Sequence, residues 1–340
     1  MPQIELTLAH SPDPDDVFMW WPVTGMIDPR DPDRVVSPPE IDTGRFRFRA
    51  IPADIAVLNK RAAESGDLDI TALSMFAWAH VRERYLLTSF GASMGYGYGP
   101  KVVGRAPAAS RLASPVCYAD EPGAAATDGL SALLAPGALV AVPGVRTTAF
   151  LLLSMMLGEH RSRLHYVEMP FDHILDAVAG GERGVTHGLL IHQSQLTFAE
   201  QGMTEVADTG EWWLRETGLP LPLGGNAVRS DLDARLGPGT TQEVVDLLDR
   251  SIRYGLDQRA RSLRYAMQFA PEITLAQADR YIDMYVSDLT LDAGEAGAAA
   301  VQRLLDEAAK LGMCPPIGRV EMLRPGCRAQ GKPVTPVRDR

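Results

Sequence analysis

Cysteine is scarce in this chain of 340 residues, and its three cysteines follow no metal-ligand spacing. Cys117, Cys314 and Cys327 lie far apart, with no Cys-x-x-Cys pair and no cysteine–histidine pair at ligand spacing. A sparse, odd-numbered set of this kind is typical of a reducing compartment and predicts that there is no structural zinc.

Long apolar runs are also missing. The first residues, MPQIELTLAHSPDPDD, contain neither a basic stretch nor an apolar stretch, so no signal peptide is expected. No run approaches the roughly 20 apolar residues that span a bilayer. We therefore expect a cytoplasmic protein without a membrane partner.

Positive charge is in deficit. Lysine and arginine number 33 against 43 aspartates and glutamates, which gives a formal net charge of −10. A surface this acidic argues against nucleic acid or an anionic membrane as the main partner, although a local basic pocket stays compatible with it.

The rest of the composition is ordinary for a globular protein, with 46% hydrophobic and 22% charged residues. Strands alternate with helices, which predicts an α/β protein, and the length fits two lobes. Glycine- and proline-marked crossings at 95–103 and 219–227 predict a discontinuous large lobe and a small inserted lobe. The large lobe comprises 1–103 plus 226–325, and the small lobe comprises 104–225.

Three segments are predicted to depart from the regular pattern. Residues 28–44, rich in proline and aspartate, form a surface excursion, and residues 105–138, rich in alanine, proline and serine, form an inserted loop. The basic tail 326–340 is predicted to be disordered. Residues 241–311 are predicted to be helical, because apolar residues recur there at helix spacing.

Two tryptophan pairs, Trp20-Trp21 and Trp212-Trp213, are the largest apolar groups of the chain. Packing in the core or between the lobes is the main interpretation. The alternative is that they stack on an aromatic substrate.

Two helix starts that follow strands are candidate ligand sites. In the stretch 141–149 a strand and a glycine turn lead into a helix at Thr147 and Thr148, whose free N–H groups suit a carboxylate or a phosphate. The stretch 69–74 is a strand that ends on Ser74, whose hydroxyl can reach a ligand in the same cleft. In both places the alternative is a helix cap with no ligand.

His192 is the candidate base. It follows the apolar strand 188–191, and strand carboxyl ends gather site residues in open α/β sheets. A neutral imidazole accepts a proton near pH 7. The alternative is a structural histidine. His187 lies on the opposite strand face, so the two histidines form no metal pair.

Two further motifs give weaker evidence for a functional site. Asp13, Asp15 and Asp16 lack the glycine and terminal glutamate of a calcium loop, so N-capping is the preferred role, and a contact with the site stays open. Residues 91–95 match Gly-x-Ser-x-Gly, but Tyr-Gly-Tyr-Gly-Pro follows where a hydrolase needs a helix, so no nucleophile is predicted.

Taken in order, these stretches resemble the 1,4-dihydroxy-6-naphthoate synthases of the futalosine route to menaquinone. The match includes HSPDPDDVFM at 10–19 and LIHQSQLT at 190–197. The other matching segments are 58–59, 69–74, 91–100, 141–149, 171–172, 212–213, 217–224 and 285–297. Together they run in register over most of the chain.

The resemblance implies a two-lobe, periplasmic-binding-protein-like (type II) fold with a central cleft. It implies cofactor-free and metal-free cleavage of cyclic dehypoxanthine futalosine to 1,4-dihydroxy-6-naphthoate and a sugar-derived fragment, which is a carbon–carbon lyase reaction on an aromatic carboxylate. His192 would be the proton acceptor. The residues that the resemblance places against the substrate are Asn59, Ala72, Leu73, Ser74, Thr147, Thr148 and Ala149.

Two positions depart from the family pattern. Gln193 stands where a glutamate often follows the motif histidine, and Ala72 stands where a lysine can precede the Leu-Ser pair. Two alternatives share the fold: a solute-binding-like protein in the cytoplasm, and a sister enzyme of the chorismate dehydratase type. The sequence leaves the oligomeric state open.

Overall fold

The computed structural model describes residues 3–105, 130–271 and 273–326. Most of the inserted loop predicted at 105–138 and nearly all of the tail 326–340 lie outside the described residues, so both stay predictions.

Strands and helices alternate along the chain, as the sequence predicts. The strands are β1 (Ile4–His10), β2 (Met26–Asp28), β3 (Asp31–Ser37), β4 (Phe46–Pro52), β5 (Ile70–Ser74), β6 (Tyr85–Leu87), β7 (Ser93–Gly95), β8 (Lys101–Arg105), β9 (Val140–Val142), β10 (Tyr166–Glu168), β11 (His187–Leu190), β12 (Met203–Asp208) and β13 (Leu221–Arg229). The α-helices with described bounds are α1 (Pro14–Thr24), α2 (Ile55–Glu64), α3 (Met75–Trp78), α4 (Thr148–Leu157), α5 (Phe171–Gly180), α6 (Ser194–Thr197), α7 (Thr209–Thr217), α8 (Leu232–Leu236), α9 (Thr240–Asp257), α10 (Arg259–Ala266), α11 (Leu275–Tyr285), α12 (Asp288–Leu291) and α13 (Gly294–Lys310).

The strands form two main sheets. In the first sheet the order is β4-β1-β5-β13-β6, and β7 also pairs with β13. Strands β4, β1 and β5 are parallel, whereas β13 runs antiparallel to β5. In the second sheet the order is β10-β9-β11-β8-β12, with β10, β9 and β11 parallel and β8 antiparallel to β11 and β12. The parallel strands of each sheet therefore present their carboxyl ends at one edge.

The chain passes from the first sheet to the second between β7 and β8 and returns between β12 and β13. These passages lie at or beside the predicted crossings. The division into 1–103 plus 226–325 and 104–225 stays a prediction, and β8 and β13 begin a few residues before its boundaries.

The excursion predicted at 28–44 lies at the surface, but it is not irregular throughout. Asp31–Ser37 forms β3, which pairs antiparallel with β2 as a separate two-stranded hairpin. Most of β3 is exposed, so no alternation of buried and exposed residues marks it in the sequence.

Helix α1 lies wholly within the core of the first sheet. All its residues are buried, because the helix is covered by β1, β4 and the helices α9, α10 and α11. Trp20 and Trp21 are inside this core, and the Trp21 indole N–H donates to the Ser262 hydroxyl at 2.8 Å. Trp213 is buried elsewhere and donates to the Pro220 carbonyl. Core packing is therefore confirmed for these three tryptophans.

The helical prediction for 241–311 is confirmed in its main parts. Val244, Leu248 and Ile252 share the buried face of α9, and Val301 and Leu304 share that of α13. Among the described residues, no helix is both long enough and apolar enough to cross a bilayer.

Gly255 permits the close approach of α9 to α1. A Cβ at this position would lie 2.7 Å from the backbone carbonyl oxygen of Phe18. We expect Gly255→Ala to lower the free energy of unfolding by about 1–3 kcal/mol, because two backbones must separate to admit the methyl group. Urea denaturation would measure the loss.

Gly180→Ala is the matched control for this prediction. Gly180 is the last residue of α5, and an added Cβ there would meet nothing within 4 Å. We expect this control to change stability by less than about 1 kcal/mol, or to raise it. Equal unfolding midpoints for both variants would contradict the packing described for Gly255.

Candidate active site

A cleft lies between the two sheets and encloses about 700 Å³ of space, part of it open to solvent. Its walls are the segments that follow the carboxyl ends of parallel strands, two from each sheet. The first sheet contributes Asp13 after β1 and Ser74 at the end of β5, and the second contributes Thr148 after β9 and His192 after β11. The size and position suit a small-molecule ligand.

His192 of the second sheet meets Asp13 of the first sheet across this cleft. The imidazole Nδ1 lies 2.5 Å from Asp13 Oδ2, and the two side chains are 16% and 3% exposed. The ring also packs edge-on against Phe171, with centroids 4.5 Å apart. Nε2 is buried and has no hydrogen-bond partner among the described residues. Asp13 therefore fixes the proton on Nδ1 and leaves Nε2 as an acceptor.

The backbone of His192 is unusual as well. Its φ of 59° places it in the left-handed region, and Arg183 is the other non-glycine residue with positive φ among those the structure describes. Residues other than glycine rarely adopt this conformation unless their surroundings impose it, and such positions cluster at functional sites. The turn after β11 thus directs the imidazole into the cleft at some conformational cost.

Buried carboxyl groups set the charge around the imidazole. Burial lowers the pKa of His192, but the negative charges of Asp13, Asp15 and Asp54 outweigh it and raise the pKa above 6.5. Burial raises the pKa of Asp15 to about 6, and the charge of Asp13 adds to this. Burial, with the charge of Asp15, also raises the pKa of Asp16 well above its usual range. The charge states of His192, Asp15 and Asp16 therefore depend on one another.

The N-capping role predicted for the aspartates at the start of α1 is wrong. Asp13 occupies the N-cap position, but its side chain makes no capping hydrogen bond. It accepts instead from the Ser11 hydroxyl at 2.5 Å and contacts His192, while Asp16 accepts from the Ser11 backbone N–H at 2.8 Å. The Asp13 carboxylate contacts His192 across the cleft instead of accepting from the N–H groups of the helix.

Ala72, Leu73 and Ser74 line the cleft as the resemblance implies. Asn59 lies behind them and does not line it. The Asn59 amide donates to Ser74 Oγ at 2.9 Å and accepts from the Ser74 backbone N–H at 3.0 Å. Because both hydrogen bonds are buried, Asn59 holds Ser74 in place at the end of β5.

Thr147, Thr148 and Ala149 also line the cleft. Thr147 is the N-cap of α4 and accepts from the Phe150 backbone N–H at 3.2 Å, so its capping role is confirmed. Thr148 Oγ1 donates to the Leu223 carbonyl at 2.7 Å. Thr148 and Ala149 begin the helix, where N–H groups have no carbonyl partner within the helix.

Several cleft residues were absent from the sequence-based site. The polar ones are Ser11, Asp13, Asp15, Asp16, Ser93, Gln195, Asn226, Tyr281 and Tyr285. The aspartates could have been found, since an acidic turn follows β1 at its carboxyl end. Asn226 could not, because it lies inside β13 among apolar and glycine residues and no local pattern marks it. Within 3–105, 130–271 and 273–326, no three acidic, histidine or cysteine side chains converge as metal ligands would.

The sequence is similar to those of known proteins. A family profile described as menaquinone biosynthesis matches residues 6–310. The chain belongs to the menaquinone biosynthesis family. A family member from Thermus thermophilus named 1,4-dihydroxy-6-naphthoate synthase is 35% identical over 92% of this chain and 97% of its own length. A protein of the same name from Streptomyces coelicolor is 33% identical over 92% of this chain and 96% of its own.

Solved structures of similar proteins identify the fold. A protein from Archaeoglobus fulgidus superposes with a TM-score of 0.72 at 32% identity, covering 91% of this chain and 98% of that one. The alkanesulfonate-binding protein SsuA from Xanthomonas axonopodis pv. citri, bound to MOPS, gives 0.60 at 14% identity, covering 95% and 99%. The periplasmic-binding-protein-like fold is thus confirmed, and the synthase names of the relatives support an enzyme.

Proposed function

We propose that this protein is a 1,4-dihydroxy-6-naphthoate synthase that cleaves cyclic dehypoxanthine futalosine, with His192 as the general base. The observation that carries the proposal is the buried pair of His192 and Asp13, which leaves Nε2 as an acceptor inside the cleft. The names of the two relatives support the product, 1,4-dihydroxy-6-naphthoate, and the substrate is the one that the sequence resemblance implies.

The chemistry needs one well-placed base. Nε2 of His192 removes a hydroxyl proton from the sugar-derived part of the substrate. The alkoxide becomes a carbonyl as the carbon–carbon bond to the carbocycle breaks, and the electron pair of that bond passes to the second ring, which is then protonated. The second ring aromatises as this fragment departs, which supplies driving force. One positioned base, buried at the cleft, provides the remaining assistance without a cofactor.

The substrate carboxylate is proposed to dock at the start of α4. The N–H groups of Thr148 and Ala149, with the positive end of the helix dipole, suit an anion. The opposite wall carries Asp13, Asp15 and Asp16, which disfavours a carboxylate there. The substrate therefore enters with one orientation.

The decisive assay offers the purified protein cyclic dehypoxanthine futalosine and chorismate in separate reactions. We expect 1,4-dihydroxy-6-naphthoate from the first and no dehydration of the second. Turnover of chorismate alone would assign the sister activity. Tight binding of either compound without turnover would indicate a solute-binding protein and would contradict the proposal.

A further inference from the structure

Three side chains that the proposed step leaves unused lie together in the cleft on the side of the first sheet. Asp15 is on α1, Ser93 on β7 and Asn226 on β13. The Ser93 hydroxyl donates its one proton to Asp15 Oδ2 at 3.0 Å. Ser93 Oγ therefore offers only lone pairs to a ligand, as the Asp15 carboxylate does.

Asn226 adds a third acceptor. Its Nδ2 donates to the Gly91 backbone carbonyl at 2.7 Å, and since a carbonyl can only accept, this bond fixes which way the amide points. Oδ1 has no hydrogen-bond partner among the described residues, although the side chain is 1% exposed. A buried acceptor left unpaired is unfavourable, so a donor from a ligand would be strongly held there.

We propose that Asp15, Ser93 and Asn226 form a subsite for the uncharged hydroxyl groups of the substrate. This inference rests on the proposed function and adds which end of the substrate lies where. All three groups accept and none donates, so hydroxyl protons fit them, whereas a carboxylate would meet lone pairs and negative charge.

Strand β13 sets the distance between this subsite and the carboxylate end. The Thr148 hydroxyl of α4 donates a hydrogen bond to the Leu223 carbonyl, and Asn226 lies three residues further along the same strand. At about 3.3 Å per residue, the two points are about 10 Å apart. The fused rings of the substrate then lie between them, beside the part of β5 that lines the cleft at Ala72 and Leu73.

The test compares two ligands that differ in hydroxyl groups. Asn226→Ala and Asp15→Asn are assayed for kcat/KM with cyclic dehypoxanthine futalosine and for the inhibition constant of 2-naphthoate, which has the fused rings and the carboxylate but no hydroxyl. We expect kcat/KM to fall at least tenfold, because a site built to bind hydroxyls loses strongly when a partner is removed. The inhibition constant should change less than about twofold.

Thr148→Pro is the contrasting variant, since it removes a backbone N–H proposed to bind the carboxylate at the first position of α4, and it should weaken both ligands together. If Asn226→Ala fails to fold, Ser93→Ala, assayed in the same way, decides the question, because the charge of Asp15 also raises the pKa of His192. The subsite would be overturned if kcat/KM for the substrate and inhibition by 2-naphthoate weakened in parallel, or if neither weakened. It would also be overturned if 2-naphthoate did not compete with the substrate on the wild type. Inhibition by methylammonium that Asp15→Asn relieves would show a cation site and would also overturn it. Absence of turnover in the wild type would instead reject the proposed function.

Discussion

Replacing His192 with alanine is expected to lower kcat for cyclic dehypoxanthine futalosine by about 10²- to 10⁴-fold, the usual contribution of a positioned general base. The imidazole Nε2 would be gone, while the walls that hold the ligand stay. Binding of 1,4-dihydroxy-6-naphthoate, measured by calorimetry, should therefore be retained. Wild-type turnover in this variant would exclude His192 as the base.

A second variant is needed because the backbone conformation of His192 could itself be disturbed by alanine. Because φ is positive there, alanine is strained, whereas asparagine tolerates the left-handed region better. His192→Asn should lose turnover to the same extent while keeping the turn after β11. Recovery of activity in the asparagine variant would indicate that the turn matters and the imidazole does not.

His187→Ala is the matched control in the same strand. Its side chain lies outside the cleft lining and pairs with the Thr186 hydroxyl at 2.8 Å. We expect turnover within about threefold of the wild type, since the half-buried His187 side chain contacts no residue of the cleft lining that the proposed step uses. A loss equal to that of His192→Ala would attribute the effect to damage of the second sheet.

Asp13→Asn is expected to produce the other large loss, about 10²- to 10⁴-fold in kcat/KM. Asparagine can donate an N–H to Nδ1, which favours the tautomer with the proton on Nε2 and removes the acceptor. A comparable aspartate-to-asparagine change beside a catalytic histidine costs about 10⁴-fold. Asp13 is thus a positioning residue, and its role should be visible in the pH profile.

The sign of the pH effect follows from the charges. His192 acts as a base only when neutral, and its pKa is raised above 6.5, so kcat/KM of the wild type should fall as the pH drops through that raised pKa. Among the negative charges that raise the pKa of His192, that of Asp13 has the largest effect. Asp13→Asn should therefore move the acid limb of the profile to lower pH while lowering its plateau.

Ser11→Ala tests whether charge or packing is responsible. It removes the hydroxyl that donates to Asp13 but leaves the carboxylate beside the imidazole. We expect a smaller loss of activity and an acid limb close to that of the wild type. An unshifted limb in Asp13→Asn, with full activity, would mean that Asp13 does not orient the base.

Much of the fold could be predicted because its signals are local. Periodicity along 241–311 marked the buried faces of α9 and α13, and the position after an apolar strand marked Ser74 and His192 as cleft residues. Capping chemistry also suffices to predict Thr147 at the start of α4. Each of these follows from residues a few positions apart, which share one helix face or one strand end.

The hairpin β2–β3 and the contact of Asp13 with His192 could not be predicted from such local signals. β3 is largely exposed and lacks the alternation of a half-buried strand. Asp13 satisfies every local criterion of an N-cap, yet its carboxylate contacts a histidine from the other sheet. Local propensity was outweighed in both cases by interactions with distant parts of the chain.

By itself, the sequence determined the α/β alternation, the buried tryptophans and the strand ends on which the candidate base and the α4 helix start lie. Only the tertiary structure decided that Asp13 orients His192, that Asn59 supports Ser74 from behind, and that Asn226 completes a wall of acceptors. The physical reason is that these contacts join residues far apart in the chain, on different sheets or on different elements of the first sheet, and the distance between such side chains has no counterpart in local sequence spacing.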